Sequence, residues 1–197
     1  MELNMWTDIM IDCETLAITA DACILSIGAV KFNQTEICSD GFYQNVVAKN
    51  QLDRVIDPDT LAWWRKQPAA AQEALKPNQI DLNEALHKLG AFFDHPNYKV
   101  WSNGASFDIP MLSHAWSHVL GTKLPWKFRN ERCYRTMKNR PYALKWYGAV
   151  AHNALDDAIA QTIHLQAILA AERKQVSLAA QMEEALANTR ALNEPQT

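Results

Sequence analysis

The sequence lacks the features that mark membrane-spanning, exported and zinc-binding proteins. None of its apolar runs approaches the roughly 18 residues needed to cross a bilayer, and the N-terminus Met1-Glu2-Leu3-Asn4 lacks the basic-then-apolar order of a signal peptide. Its four cysteines form no Cys-x-x-Cys pair, so neither a zinc site nor a disulfide framework is indicated. We therefore expect a soluble, cytoplasmic protein with no membrane contact and with reduced, mostly buried thiols.

Glycine-rich phosphate-binding loops are also absent. The six glycines form neither Gly-x-Gly-x-x-Gly nor Gly-x-x-x-x-Gly-Lys, which disfavours a dinucleotide-binding or nucleoside-triphosphate enzyme. The chain has 197 residues, 48% of them hydrophobic, which is enough for one domain with a sizeable core. We place that domain at residues 1–171, followed by a C-terminal helix and loose tail at residues 172–197.

Charge is distributed unevenly along the chain. The net charge is only −3, but residues 123–145 carry +7 and the remainder carries −10. The basic residues of this segment are Lys123, Lys127, Arg129, Arg132, Arg135, Lys138, Arg140 and Lys145, and its interleaved aromatic residues are Trp126, Phe128, Tyr134, Tyr142, Trp146 and Tyr147. Cations contact phosphates and aromatic rings stack on bases, so the segment predicts a nucleic-acid surface. The alternative is a solvated loop whose aromatic side chains are buried elsewhere.

Hydrophobic periodicity predicts strands in the first third of the chain and mostly helices after it. Three β-rich segments, at 7–12, 23–32 and 42–47, are separated by polar turns and favour an antiparallel meander. Helices are predicted near 60–67, 82–93, 108–120 and 153–169, with a short strand at 98–102. Asp81 and Glu84 are placed as a capping pair for the second helix and Asp108 as the cap of the third. This order implies a mixed sheet flanked by helices, with ligands near strand ends and helix starts.

Two acids end the first predicted strand. Asp12 and Glu14 are two positions apart, so a strand sends both carboxylates to the same face. Such a pair raises the pKa of each member unless a cation lies between them, and oxygen-rich clusters suit Mg²⁺ or Mn²⁺. The alternative interpretation is a solvated strand end, where paired acids are common.

Three further residues have both a structural and a functional interpretation. Asp108 follows a strand and begins a helix, where a helix cap is the simpler explanation if it stands alone. Asp157 lies in the first turn of the last long helix, where the helix dipole favours an acid. His152 precedes Asp157 by five positions, so the two can face a common site across that turn. Each signal is weak alone, but their order and sequence context are informative together.

Together these motifs resemble those of the DnaQ-like, or DEDDh, exonuclease superfamily. The matching segments are Ile11-Asp12-Cys13-Glu14-Thr15, Ser106-Phe107-Asp108 and His152-Asn153-Ala154-Leu155-Asp156-Asp157, within about residues 7–170. Other segments are similar to a small branch with phage exonuclease A and a mycobacterial exoribonuclease: Ile24-Leu25-Ser26-Ile27-Gly28-Ala29-Val30, Asp57-Pro58-Asp59-Thr60-Leu61-Ala62-Trp63-Trp64 and Trp101-Ser102-Asn103-Gly104. The resemblance implies an α/β, ribonuclease H-like fold. Its five-stranded mixed sheet would combine a three-strand antiparallel meander with two parallel strands, the last near 132–135, flanked by helices.

The resemblance also implies a catalytic site with two divalent cations. Asp12, Glu14 and Asp157 would bind one Mg²⁺ or Mn²⁺ ion, Asp12 would bridge to a second ion, and Asp108 would support the pair. His152 would accept the proton of the attacking water as general base. The residues expected to bind the terminal nucleotide are Thr15, Leu16, Asn103 and Phe107.

These roles predict a metal-dependent 3′-to-5′ exonuclease that releases nucleoside 5′-monophosphates from single-stranded nucleic acid, with DNA slightly favoured. One alternative is a 3′-to-5′ exoribonuclease, since nothing in the sequence identifies a reader of the 2′-hydroxyl. Another is a catalytically silent ribonuclease H-like binding module, which would have lost one of the acids or the histidine. No such loss occurs in this sequence. The segment beyond about residue 172 has two interpretations, packing on the domain or oligomerisation, and the resemblance implies a homodimer because many relatives act as dimers.

Overall fold

A mixed β-sheet forms the centre of the protein. The computed structural model describes residues 5–104, 106–140 and 152–193, with side chains described up to residue 184. The strands are β1 (Asp8–Thr15), β2 (Ile24–Phe32), β3 (Phe42–Asn45), β4 (Lys99–Ser102) and β5 (Glu131–Cys133). They lie in the order β3-β2-β1-β4-β5. β1 is antiparallel to β2 and β2 to β3, whereas β4 is parallel to both β1 and β5. The predicted five-stranded sheet, with its meander and its two parallel strands, is confirmed.

Six α-helices connect and flank these strands within the described residues. They are α1 (Pro58–Trp64), α2 (Ala69–Ala74), α3 (Leu82–Phe92), α4 (Asp108–Ala115), α5 (Tyr134–Lys138) and α6 (Ala154–Asn193). Three shorter helical turns span Ala48–Asn50, Trp116–Leu120 and Phe128–Asn130. The four predicted helices are present, α2 and α5 were not predicted, and β5 lies one to two residues earlier than expected.

The helix starts follow the sequence signals only in part. α1 begins as predicted from its Asp-Pro start, because the Asp57 carboxylate accepts a hydrogen bond from the Thr60 amide at 2.8 Å. Asp81 precedes α3, but its side chain makes no capping hydrogen bond and instead accepts one from Asn50. The prediction of Asp108 as a cap is wrong. Asp108 is the first residue of α4, and its carboxylate accepts a hydrogen bond from the Cys13 amide in β1.

The alternation of side chains along β1 separates two hydrophobic cores. Ile9 and Ile11 point to the face covered by α3 and α4. Met10 points to the opposite face, where α5 and α6 pack. Because strand side chains alternate, Asp12 and Glu14 continue the face of Met10. The strand therefore directs both acids toward the side of the sheet that α6 covers.

Helix α6 extends beyond the surface of the domain. All side chains from residue 173 to residue 184 are exposed, and the helix passes residue 172 without a break. The separation of residues 1–171 from 172–197 stays a prediction, and most of the predicted tail, residues 194–197, lies outside the described residues. In the described part of the chain, no helix combines the length and apolarity needed to cross a membrane. The cytoplasmic location stays a prediction.

The cysteines take no part in covalent cross-links. Cys13 and Cys23 are buried, Cys38 and Cys133 are half-buried, and none of the four is in a disulfide bond with another described residue. The expectation of reduced thiols agrees with this, although only two of the four are fully buried.

Candidate metal centre and substrate cavity

Three carboxylates from distant parts of the chain converge at the end of β1. Asp12 and Glu14 come from that strand and Asp157 from the first turn of α6. One oxygen of each lies within 4.8 Å of one oxygen of each of the others. This spacing is compatible with three oxygen ligands around one hard divalent cation.

A glycine in β2 allows α6 to approach the sheet closely enough for this convergence. Gly28 lies opposite Asp12 in the antiparallel pair. A Cβ atom on Gly28 would lie only 2.2 Å from the backbone carbon of Ala154 and 2.3 Å from the amide nitrogen of Leu155. The first turn of α6 therefore rests directly on the backbone of β2, and Asp157 follows within that turn.

Asp108 adds a fourth carboxylate beside the other three. Its side chain is 1% exposed, and its Oδ1 atom accepts a hydrogen bond from the Cys13 amide at 3.1 Å. Cys13 stands between Asp12 and Glu14, so this bond fixes Asp108 against the same stretch of β1. Its Oδ2 atom is buried and has no hydrogen-bond partner among the described residues. A buried oxygen without a partner is costly, and a cation would satisfy it.

The electrostatics of the cluster favour neutralisation by protons or cations. Burial, with the charges of Asp108 and Glu14, raises the pKa of Asp12 well above its usual value. Burial also raises the pKa of Glu14 to about 7, with further contributions from Asp157 and Asp108. The pKa of Asp108 rises to about 7, again mainly through burial, and burial raises that of Asp157. Four carboxylates with raised pKa values supply oxygen ligands, which suit a hard divalent cation better than a soft metal.

His152 lies at the same cavity in a constrained backbone conformation. Its φ angle is +80°, which is uncommon for a residue with a side chain, and its amide donates a hydrogen bond to Asp157 Oδ2 at 3.0 Å. The imidazole packs edge-to-face on Trp63 and Trp64, with ring centroids 4.9 and 5.7 Å away. The two tryptophans of α1 therefore hold the ring beside the carboxylates.

A cavity of about 630 Å³ contains all five predicted catalytic residues. Thr15, Asn103 and Phe107, predicted to bind the terminal nucleotide, also line it. Leu16 does not contribute to the described lining: it is 7% exposed and packs with Cys23 in a separate cluster. The cluster of Leu16 includes Trp64, which does line the cavity, and the contact of Leu16 with the base stays a prediction.

The cavity also contains residues to which the sequence assigned no role. Ile18 is 75% exposed and Trp63 is 44% exposed, so both offer apolar surface to a ligand. Gln161 donates a hydrogen bond from Nε2 to Asp12 Oδ1 at 2.8 Å. The spacing of four residues between Asp157 and Gln161 on one helix is a signal that could have identified Gln161. Arg135 is the single lysine or arginine in the described lining.

The aromatic residues of the basic segment at 123–145 differ in how far they are exposed. Trp126 and Tyr134 are 4% and 3% exposed and belong to the hydrophobic cores, so the prediction that they stack on bases is wrong. Phe128 is 76% exposed and remains available for a ligand. Lys145 and the aromatic residues at 142, 146 and 147 lie outside the described residues.

Comparison with known proteins identifies a family and a fold. Residues 7–169 match the family described as the 3′-5′ exoribonuclease Rv2179c-like domain. No match was found among curated proteins.

Solved structures of exonuclease I share the fold. The E. coli enzyme in complex with a dT13 oligonucleotide aligns with a TM-score of 0.65 and 12% identity, covering 88% of this chain and 43% of that one. The zinc-bound form of the E. coli enzyme with single-stranded DNA aligns with a TM-score of 0.61 and 13% identity, covering 87% of this chain and 41% of that one. The moderately thermophilic exonuclease I from Methylocaldum szegediense aligns with a TM-score of 0.59 and 15% identity, covering 80% of this chain and 39% of that one. The chain thus spans less than half the length of these proteins, and the likeness confirms the ribonuclease H-like fold alone.

Proposed function

Because the chain belongs to the family of 3′-5′ exoribonuclease Rv2179c-like domains, we propose that it is a metal-dependent 3′-to-5′ exonuclease acting on single-stranded nucleic acid. The observation that carries this proposal is the convergence of the Asp12, Glu14 and Asp157 carboxylates beside Asp108 and His152 in one cavity. The products would be nucleoside 5′-monophosphates released one at a time from the 3′ end.

The carboxylates would hold two Mg²⁺ or Mn²⁺ ions. Asp12, Glu14 and Asp157 supply the three converging oxygens, and Asp108 contributes the buried oxygen that lacks a partner among the described residues. When bound, such ions lower the pKa of water and stabilise negative charge on the reacting phosphodiester. The hydrogen bond from Gln161 leaves one Asp12 oxygen fixed and orients the carboxylate toward the other acids.

His152 would act as the general base. The amide of His152 is tied to Asp157, so the imidazole stays next to the carboxylates that bind the metal. Edge-to-face packing on Trp63 and Trp64 restricts rotation of the ring. A histidine held in this way accepts the proton of the attacking water and then returns it to solvent.

RNA is a second candidate substrate beside the slightly favoured DNA. The family description names exoribonuclease activity, and that match extends over residues 7–169. Solved complexes with DNA share only the fold at 12–13% identity. Thr15, Asn103 and Phe107 line the cavity in which the terminal sugar would lie, so the choice between the two sugars would be made there.

We also propose that the chain forms a homodimer through α6. Val176, Leu178 and Met182 are 57–65% exposed on the part of the helix beyond the domain surface. Leu178 and Met182 are four residues apart and share one face of the helix, where a second copy of α6 would cover both. Light scattering of the wild type and of a Leu178→Glu/Met182→Glu variant tests this. We expect a dimer for the wild type and a monomer for the variant, and the same mass for both proteins would exclude the contact.

The activity is tested directly with labelled oligonucleotides. The purified protein is incubated with 5′-labelled single-stranded DNA and RNA in Mg²⁺, Mn²⁺ or EDTA. We expect a ladder that shortens from the 3′ end, requires a divalent cation and is absent for Asp12→Ala, and the relative rates give the sugar preference. A full-length product in every condition, or equal cleavage in EDTA, contradicts the proposal.

A further inference from the structure

Arg135 places a positively charged side chain in the same cavity as the carboxylate cluster. It is the second residue of α5 and lines the cavity that contains Asp12, Glu14 and Asp157. No other lysine or arginine contributes to the described lining of that cavity. An anionic ligand that enters the cavity therefore meets several carboxylates and, in the described lining, this one guanidinium group.

The guanidinium group lies on a glycine that leaves room for it. A Cβ atom on Gly104 would lie 3.2 Å from both Cζ and Nη2 of Arg135 and 3.5 Å from Nη1. Because these three distances are nearly equal, the flat face of the guanidinium group covers the position where a side chain on residue 104 would begin. Gly104 has a φ angle of +147°, which other residues rarely adopt, and Ser102 donates a hydrogen bond to its carbonyl oxygen at 3.1 Å. Arg135 thus packs against Gly104, at the end of the Trp101-Ser102-Asn103-Gly104 segment.

The charge of Arg135 acts on Asp108, where it lowers the pKa against the larger effect of burial, but among the described residues no acid forms an ion pair with it. The side chain of Arg135 is exposed. Other basic residues of the segment are engaged elsewhere: Arg132 donates to the carbonyl oxygens of Arg129 and Glu131, and Arg140 pairs with Glu172. The guanidinium of Arg135 therefore keeps donors for a ligand.

We propose that Arg135 binds the phosphodiester group nearest the carboxylate cluster, donating hydrogen bonds from its guanidinium group to the non-bridging oxygens. The proposal rests on the proposed exonuclease function, since it assumes a nucleic-acid strand in the cavity. A planar guanidinium group matches two phosphate oxygens at once, which a lysine does not. The positive charge also offsets the repulsion between the strand and the acids.

The test measures binding of fluorescent oligothymidylate and oligouridylate at several salt concentrations, with Ca²⁺ in place of Mg²⁺ to limit cleavage. We compare wild type, Arg135→Ala, Arg135→Lys and the control Lys88→Ala, which removes an exposed positive charge on α3, outside the basic segment. Arg135→Ala should weaken binding about 10- to 100-fold, as expected for loss of a charge-assisted hydrogen bond. It should also reduce the slope of log K against log salt concentration by about 0.7. Arg135→Lys should keep the slope and recover only part of the affinity, and Lys88→Ala should match the wild type.

Failure of this inference is distinguishable from failure of the proposed function. If the wild type binds and cleaves the oligonucleotides while Arg135→Ala has the same affinity and salt slope, only the role of Arg135 is overturned. Reduced affinity of Arg135→Ala with an unchanged salt slope also overturns it, because a contact with phosphate must release counterions. A wild type that neither binds nor cleaves overturns the exonuclease proposal itself.

Discussion

Gly28→Ala is the substitution that most severely tests how the fold builds the site. The added Cβ atom would lie 2.2 Å from the Ala154 carbonyl carbon, 2.3 Å from its oxygen and 2.3 Å from the Leu155 nitrogen. All three are backbone atoms, so no side-chain rotation relieves the clash. The first turn of α6 must move away from β2, and it carries Asp157 with it.

The size of the movement sets the expected loss of activity. Ordinary van der Waals contact begins at about 3.4 Å, so the helix must shift by about 1.2 Å. Metal ligands tolerate deviations of only about 0.2 Å, and a misplacement of about 1 Å at a catalytic site costs about 100-fold in rate. We expect kcat/KM for oligonucleotide hydrolysis to fall about 100-fold and the Mn²⁺ concentration for half-maximal activity to rise.

A second glycine provides a matched control. A Cβ atom on Gly41 would lie 2.7 Å from Leu155 Cδ1, which is the end of a flexible side chain. Gly41→Ala should therefore reduce hydrolysis only slightly. Adding Leu155→Ala should remove the clash in Gly41→Ala but not the backbone clash in Gly28→Ala. Circular dichroism and thermal unfolding in EDTA establish that each variant is folded. Wild-type hydrolysis and Mn²⁺ dependence in folded Gly28→Ala would refute the claim that this close approach positions Asp157.

Three other perturbations test the remaining parts of the account. His152→Ala should leave Mn²⁺ binding nearly unchanged while lowering kcat at neutral pH by about 100-fold, and a near-wild-type rate would remove it as general base. Trp63→Ala removes a ring at 4.9 Å from that imidazole and should lower kcat as well, so an unchanged kcat would show that the ring needs no such support. Because burial raises the pKa of Glu14 to about 7, the folded state binds its proton more tightly than the unfolded state does. The metal-free protein should therefore lose stability as the pH rises from about 4.5 through 7, measured by denaturation in EDTA, and an equal loss in Glu14→Gln would contradict this origin.

The fold was predictable where sequence signals are local. The alternation of β1 and the three-and-four spacing of α3 depend on neighbouring residues, so the sheet and the long helices follow from the sequence. Helix caps were less predictable, because Asp81 and Asp108 both bond to distant segments, Asn50 and Cys13, instead of to their own helices. Here tertiary contacts override a local preference.

The site was predictable to the extent that its residues share a motif. Strand alternation placed Asp12 and Glu14 on one face, and the structure brings Asp157 to them. The position of Ile18 in the cavity lining depends on a turn after Thr15 that no periodicity specifies. The position of Arg135 in the cavity depends on its packing against Gly104, a contact between segments about 30 residues apart.

The burial of Trp126 and Tyr134 has the same kind of cause. Both residues lie within a basic segment, which suggested an aromatic surface for bases. In the folded chain, the Trp126 indole packs near Phe93 with ring centroids 5.1 Å apart, and the Tyr134 hydroxyl contacts His164 at 2.6 Å. Composition describes the segment as a whole, whereas burial is decided residue by residue through partners elsewhere in the chain.

Direct measurement of Mn²⁺ binding provides the closest test of the converging carboxylates. Calorimetric titration of the wild type in the presence of a nucleoside 5′-monophosphate should give two Mn²⁺ ions per chain, and Asp12→Ala should lose both. Wild-type protein that binds no Mn²⁺, or Asp12→Ala that binds it with the same stoichiometry and affinity, would show that these acids do not form a metal centre.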